Sequence, residues 1–355
     1  MLRFSILALV AFMLAGCADR HPFEPQLSVA HWKDNYKGAV ALTFDAWTPG
    51  HPSIVVPELQ KRGMVATFNV ITGNVSDWEP LRKAVALGNE VANHTVTHPH
   101  PNGISFEQEI LLAKQKIEAE IPQQRVYTFA YPYGEFTDSL RLYLEESGYV
   151  AARGVKTPMP GEDFAFSDSV DYFDTKAYSV MTETSLADFA TQLGNVEQSG
   201  GMLTYLYHSI YSDSIKDFSY AWVIDSTFRQ QLETLMLYDL WVATYADMIR
   251  YHRQYCATKI EKVKSSPTAY VFRLKAEKSL DEQTPLTLLF KSSIDGIYVE
   301  DACKIKVMQD GKQLSVKPVS FNILENGKVR KAFSYDEYVF DAMPNGGDIS
   351  IELNK

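Results

Sequence analysis

AVALTFDAWTPGH, residues 39–51, opens with six apolar or β-forming residues and then meets an acid, Asp45, before Ala46, Trp47 and a Pro-Gly turn. A strand with one face in water alternates polar and apolar residues. A strand apolar on both faces suits a parallel sheet covered by helices. Runs of similar texture recur at 65–71, 90–93, 126–131, 149–153, 202–207 and 240–244. Helical patterns lie between them. Residues 53–62 stop at Gly63, 78–87 at Gly88, 105–121 before Pro122, 137–147 at Gly148 and 185–198 at Gly200-Gly201. Gly and Pro are the expected stop chemistry. Seven strands in β-then-α order predict an α/β unit, either a parallel barrel or a doubly wound sheet.

After Cys256 the texture changes. Period-two segments at 270–275, 287–290, 304–308 and 349–353 are separated by the hairpin signals Asp310-Gly311, Asn326-Gly327 and Asn345-Gly346. Residues 257–355 therefore read as a small β-sandwich-like accessory domain. It serves either packing and spacing or carbohydrate binding.

The start of the chain is different again. Met1-Leu2-Arg3, an apolar segment at 4–14 and Leu14-Ala15-Gly16-Cys17 read as an export signal over residues 1–17. The last four residues resemble the lipobox of bacterial lipoproteins. That resemblance implies lipid on Cys17, a tether at 18–37 and a place in the cell envelope, on the periplasmic side or at the cell surface. Cys256 and Cys303 are then the remaining cysteines, and whether they pair is left open. A net charge of −10, from 34 basic and 44 acidic residues with no basic run, argues against nucleic acid as a partner.

Residues able to do chemistry gather at the carboxyl ends of the expected strands. Asp45 ends the first, and Asn93-His94 ends the third with His98 and His100 beyond it. Tyr131-Pro132-Tyr133-Gly134 ends the fourth, and His208 follows the 202–207 run. In parallel β/α folds this edge is where active sites assemble. His94 and His98, four residues apart, can converge from a helical turn or from a loop, and two imidazoles with a carboxylate suit a hydrolytic metal site. Asp45 at a buried strand end needs a positive partner or a proton-transfer role.

In this order, LTFDA (42–46), HTVTH (94–98), YPYG (131–134) and LTYLYH (203–208) resemble the polysaccharide deacetylases of the NodB-homology group, carbohydrate esterase family 4, over about residues 38–256. The resemblance implies a distorted parallel (β/α)7-type barrel followed by the β-sandwich-like domain. It implies a hydrolase that removes N- or O-linked acetyl groups from an extracytoplasmic polysaccharide or oligosaccharide. It makes Asp45 the base and His208 the acid, with His94, His98 and Asp45 as ligands of a divalent metal, usually Zn2+, with Co2+ or Ni2+ as alternatives. Tyr133 becomes the residue whose N–H helps hold the oxyanion.

Two positions depart from the family pattern. The usual second aspartate, a metal ligand, is Ala46, and the usual arginine beside the catalytic aspartate is Ala130. Loss of that arginine would raise the basicity of Asp45. His51 and His100 are candidates for the vacant ligand position, with a solvated turn as the plainer reading of His51. Asp171 and Asp174 are candidates for tuning His208, and Trp47, Tyr131, Tyr133 and Trp222 for sugar stacking. Two other readings stand beside the deacetylase. One is a catalytically impaired barrel acting as a glycan-binding lipoprotein, and the other a hydrolase of non-carbohydrate esters or amides.

Overall fold

The computed structural model of the protein describes residues 25–155, 170–266, 268–276, 283–291, 305–325 and 328–353, without the side chains of 320–336. The stretch read as an export signal, Cys17 and Cys303 lie outside the described residues, as does the Asn326-Gly327 hairpin signal.

The described chain begins with a strand, β1 (Gln26–Val29). There follow β2 (Gly38–Asp45), β3 (Thr67–Val70), β4 (Glu90–Asn93), β5 (Thr128–Ala130), β6 (Ala151–Arg153), β7 (Tyr178–Ser179) and β8 (Met202–Tyr207). The two-residue strands β9 (Ile210–Tyr211) and β10 (Val223–Ile224) pair with each other, and β11 (Leu240–Ala243) returns to β2. One curved sheet runs in the order β6-β5-β4-β3-β2-β8-β7, with β11 also on β2, and each of its pairings is parallel. A parallel bridge from Arg153 to Thr175 extends β6 toward the stretch that enters β7. This is the distorted parallel barrel-type α/β architecture expected from the run at 39–44.

β2 sits at the centre, and all eight of its residues are buried. Its first half pairs with β11 and its second half with β3, while β8 lines its other edge. Apolar residues on both faces are what such a position demands. The helices are α1 (Val56–Arg62), α2 (Glu79–Ala86), α3 (Leu112–Glu120), α4 (Asp138–Glu146), α5 (Leu186–Ser199), α6 (Asp225–Leu235) and α7 (Tyr245–Cys256). The hydroxyls of Thr137, Ser185 and Thr244 cap α4, α5 and α7 by accepting from the N–H groups of Leu140, Asp188 and Asp247. Short π turns, His51–Val55 and Glu107–Leu111, lead into α1 and α3.

The remaining strands are β12 (Thr258–Ser265), β13 (Ala269–Ala276), β14 (Leu286–Lys291), β15 (Ile305–Gln309), β16 (Lys312–Gln313), β17 (Lys317–Glu325), β18 (Lys328–Ala342) and β19 (Asp348–Leu353). They form two antiparallel sheets, β1-β14-β18-β17 and β12-β13-β19-β15-β16. Phe272, Leu274 and Ile351 from one sheet and Leu288, Phe290 and Phe340 from the other share one buried cluster. Part of the stretch read as a tether is therefore structured. Residues 26–29 add an edge strand to β14, with Leu27 and Val29 packed on that cluster. Beyond it Trp32 is buried and its indole N–H donates to Gly200 O at 2.8 Å, while Tyr251 Oη donates to Ala30 O at 2.9 Å.

Candidate active site at the carboxyl edge of the parallel sheet

Asp45, the last residue of β2, is almost wholly buried. Its Oδ1 accepts from Asn69 Nδ2 at 2.7 Å and from Arg153 Nη2 at 2.5 Å. Asn69 stands beside it in register on β3, and Arg153 is the last residue of β6. Its other oxygen, Oδ2, faces His94 Nε2 at 3.7 Å. Burial by itself would push the Asp45 carboxyl up. The Arg153 guanidinium, helped by His94 and His208, overrides that and holds it well below the usual carboxylate range.

Arg153 answers the question that Ala130 raised. In the β5–β6 pairing the partner of Ala130 is Arg153, so the guanidinium comes from the neighbouring strand at the same height. The expectation that Asp45 gains basicity for want of an arginine is therefore corrected. Arg153 is fully buried, and among the described residues its Nε and Nη1 have no hydrogen-bond partner, so Asp45 is its one charge-assisted contact. The Ala130 carbonyl has a different task, accepting from His94 Nδ1 at 2.8 Å. A carbonyl can only accept, so Nδ1 carries the proton and Nε2 keeps its lone pair. Burial, ahead of the opposing pull of Asp45, brings the His94 pKa down to about 4 and keeps the ring neutral.

His98 lies on the loop after β4 rather than on a helix, with a left-handed φ of 62°. Its N–H donates to Thr95 Oγ1 at 2.9 Å. Its ring meets His94 at 4.7 Å and Tyr133 at 4.6 Å between centres. Tyr133 also has a left-handed φ, 57°, within a tight turn closed by Gly134 N–H donating to Tyr131 O at 2.9 Å. Gly134 is required there, because at φ 73° an added Cβ would stand 2.8 Å from Val155 N.

His208 follows β8, and its ring meets Tyr220 edge-on at 5.0 Å. Its Nδ1 is buried, with no hydrogen-bond partner among the described residues. Burial, ahead of the opposing pull of the Asp45 charge, brings its pKa down.

Other candidates separate. His51 is neither a solvated turn residue nor a spare ligand. It is fully buried, its Nδ1 accepts from Thr48 N–H at 3.1 Å and its Nε2 donates to His208 O at 2.5 Å. Both nitrogens are taken by main chain, and the ring packs among Phe44, Trp47 and Phe68. Its task is to tie the loop after β2 to the backbone of His208. His100 stacks on Tyr133 at 4.0 Å and pairs with Glu135 at 3.0 Å. Asp171 is held by Arg141 at 2.6 and 2.9 Å, and Asp174 pairs with Lys176.

A pH effect on stability follows from the buried imidazoles. Burial brings the His51 and His94 pKa values from 6.5 down to about 4. Unfolding frees both rings to protonate at their ordinary pKa. Their contribution is then complete above pH 6.5 and lost progressively as pH falls to about 4, roughly 3 kcal/mol for each ring. Urea midpoints taken from pH 7.5 to 4.5 should fall steeply over the lower half, and a flat profile would contradict neutral buried rings.

Among the described residues no group of three or more His, Cys, Asp or Glu is gathered as a ready metal cage. His94 lies beside both Asp45 and His98, and the donor set of the three is the two imidazoles and one carboxylate that suit zinc and its neighbours. The Nδ1–H bond to Ala130 fixes His94 in the tautomer a metal ligand needs. In chemistry the residues fit the ion.

The family model for polysaccharide deacetylase matches residues 33–152, a span that holds Asp45, His94, His98 and Tyr133 and stops one residue before Arg153. Gellan lyase from Bacillus sp. is 26% identical over 335 residues, covering 82% of this chain and 13% of that protein. A chitooligosaccharide deacetylase from Sinorhizobium fredii is 33% identical over 144 residues, covering 37% of this chain and 65% of that protein. This chain thus spans less than two thirds of either relative's own length. Among solved structures, a family 4 carbohydrate esterase from Streptomyces lividans in complex with acetate aligns with 20% identity and a TM-score of 0.42, over 58% of this chain and 92% of that one.

Proposed function

We propose, from the match of residues 33–152 to the polysaccharide deacetylase model, that this chain hydrolyses acetyl groups from a polysaccharide or oligosaccharide outside the cytoplasm. The observation that carries the reading is the gathering of Asp45, His94, His98, Tyr133 and His208 at one edge of the sheet, with a buried cation fixed on Asp45.

In this reading Asp45 takes a proton from the water whose oxygen bonds to the acetyl carbon. Arg153 and Asn69 keep the carboxylate ionised and aimed, so one geometry serves throughout. The Tyr133 N–H supports the oxyanion as the carbon becomes tetrahedral. As the C–N or C–O bond breaks, protonated His208 gives its proton to the leaving amine or alcohol and acetate departs. His51 holds the backbone that positions His208. His94, His98 and Asp45 would hold a divalent ion, which when bound supplies Lewis acidity and brings water within reach of a carboxylate of lowered basicity. With Ala46 in place of a further carboxylate, such an ion would be held by fewer anionic groups than in the family pattern.

The leader at 1–17 supports export, with Cys17 as a lipid anchor. The test of function is acetate release by the purified full-length chain from N- and O-acetylated oligosaccharides, with and without a chelator. Release that falls on chelation and returns with Zn2+, Co2+ or Ni2+ is the expected result. Glycan binding without acetate release under any metal would instead establish the binding-protein reading.

A further inference from the structure

The loop between β9 and β10 carries aromatic rings that no fold requirement explains. Phe218 is 58% exposed and Tyr220 66% exposed, far more than buried-core aromatics of this chain. Phe218 leans on Tyr211, ring centres 4.4 Å apart, and meets Trp222 at 5.7 Å, while Tyr220 meets His208. Exposed rings of this size cost solubility and mark a binding surface.

The loop is also stapled. Asp217, a buried residue of the loop itself, accepts from Ser209 Oγ at 2.9 Å and from Gly50 N–H at 3.3 Å. The hydroxyls of Ser209 and Ser219 bond each other, and Thr182 Oγ1 donates to Trp222 O at 2.7 Å. Val223 N–H closes the loop on Ser209 O at 2.9 Å. Gly50 is required for this closeness, since a Cβ there would stand 2.2 Å from Ile210 O. The rings are thus held on a fixed backbone, so binding a partner there need not order the loop first.

We infer that Tyr220 and Phe218 offer separate stacking faces for pyranose rings of the substrate chain, with the Tyr220 face next to the sugar whose acetyl group is removed at His208. The inference rests on the deacetylase reading for the occupant's identity. A pyranose presents an apolar face of C–H bonds with slight positive charge, and an aromatic face is apolar and electron-rich. The contact between Tyr220 and His208 joins the Tyr220 face to the acid end of the site, so a sugar seated on it belongs to the same chain as the leaving group.

The test is equilibrium binding of tetra-N-acetylchitotetraose to the full-length chain, read by calorimetry and by tryptophan fluorescence. Deacetylation during a titration changes acetyl groups and leaves the pyranose faces intact. Phe218→Ala and Tyr220→Ala should each weaken binding about three- to tenfold. Tyr220→Phe, which keeps the ring, should bind like the parent. Leu237→Ala, at a 66% exposed position beyond the far end of α6, should also bind like the parent. Unchanged affinity in the first two variants, or no measurable binding by the parent, overturns the inference. A shift in oligomeric state with unchanged sugar affinity would overturn it too, in favour of a protein contact. Binding is read apart from turnover, so a chain that binds through these rings without releasing acetate contradicts the proposed reaction alone.

Discussion

Replacing Arg153 by Met should destabilise the protein by about 3–5 kcal/mol, because it leaves an ionised carboxylate buried without its cation. Asp45 and Arg153 are both almost fully buried, and the Arg153 side chain is committed to this one partner among the described residues. The remedy is specific. Adding Asp45→Asn to Arg153→Met removes both charges and should recover most of the lost stability, since a neutral buried pair owes no such penalty. Asp45→Asn alone should be destabilising as well, now through an unpaired guanidinium. The pH signature has a definite sign. In the parent the depressed Asp45 pKa contributes stability above its ordinary value of 3.8, lost as pH falls through the folded value. In Arg153→Met burial acts unopposed by the guanidinium and raises that pKa, so the variant should gain stability relative to the parent as pH is lowered. Denaturant midpoints for the four chains of this cycle decide the matter, and additive effects would mean that the two residues do not interact.

His208→Ala should leave the melting temperature nearly unchanged and cut turnover by about 10²- to 10⁴-fold with little change in KM, the range for loss of a general acid. The His208 backbone, through its carbonyl bond to His51, is retained in this variant. His51→Ala differs in kind. It opens a cavity among Phe44, Trp47 and Phe68 and frees the His208 carbonyl, so stability and turnover should fall together. Near-normal turnover in His208→Ala would remove it from the mechanism.

The sheet edge was legible because a parallel strand buried on both faces leaves a plain mark, an apolar run that ends abruptly in polar residues. Asp45, His94 and His208 could be placed on that edge from such runs alone. Arg153 was overlooked for a physical reason. Cross-strand register is set by packing between distant segments, so nothing in the linear order shows that Ala130 and Arg153 stand side by side. The available signal was an arginine closing an otherwise apolar strand, a cation with no reason to be there unless paired. His51 sits in TPGHP, whose composition reads as an exposed turn. Rings from β2, β3 and the adjoining loop cover it, and those contacts are invisible locally. The two-residue strands β7, β9 and β10 are too short to carry a period, and β1 at 26–29 pairs with a strand about 260 residues away.

The central claim is that Asp45, held ionised by Arg153, is the base of a deacetylation at this edge. The most direct measurement is acetate released by the Asp45→Asn/Arg153→Met chain, on whichever acetylated oligosaccharide the parent turns over fastest, once its melt shows a folded protein. The expected result is a stable chain with no acetate above the uncatalysed background. A folded pair variant that releases acetate at the rate of the parent would contradict the claim.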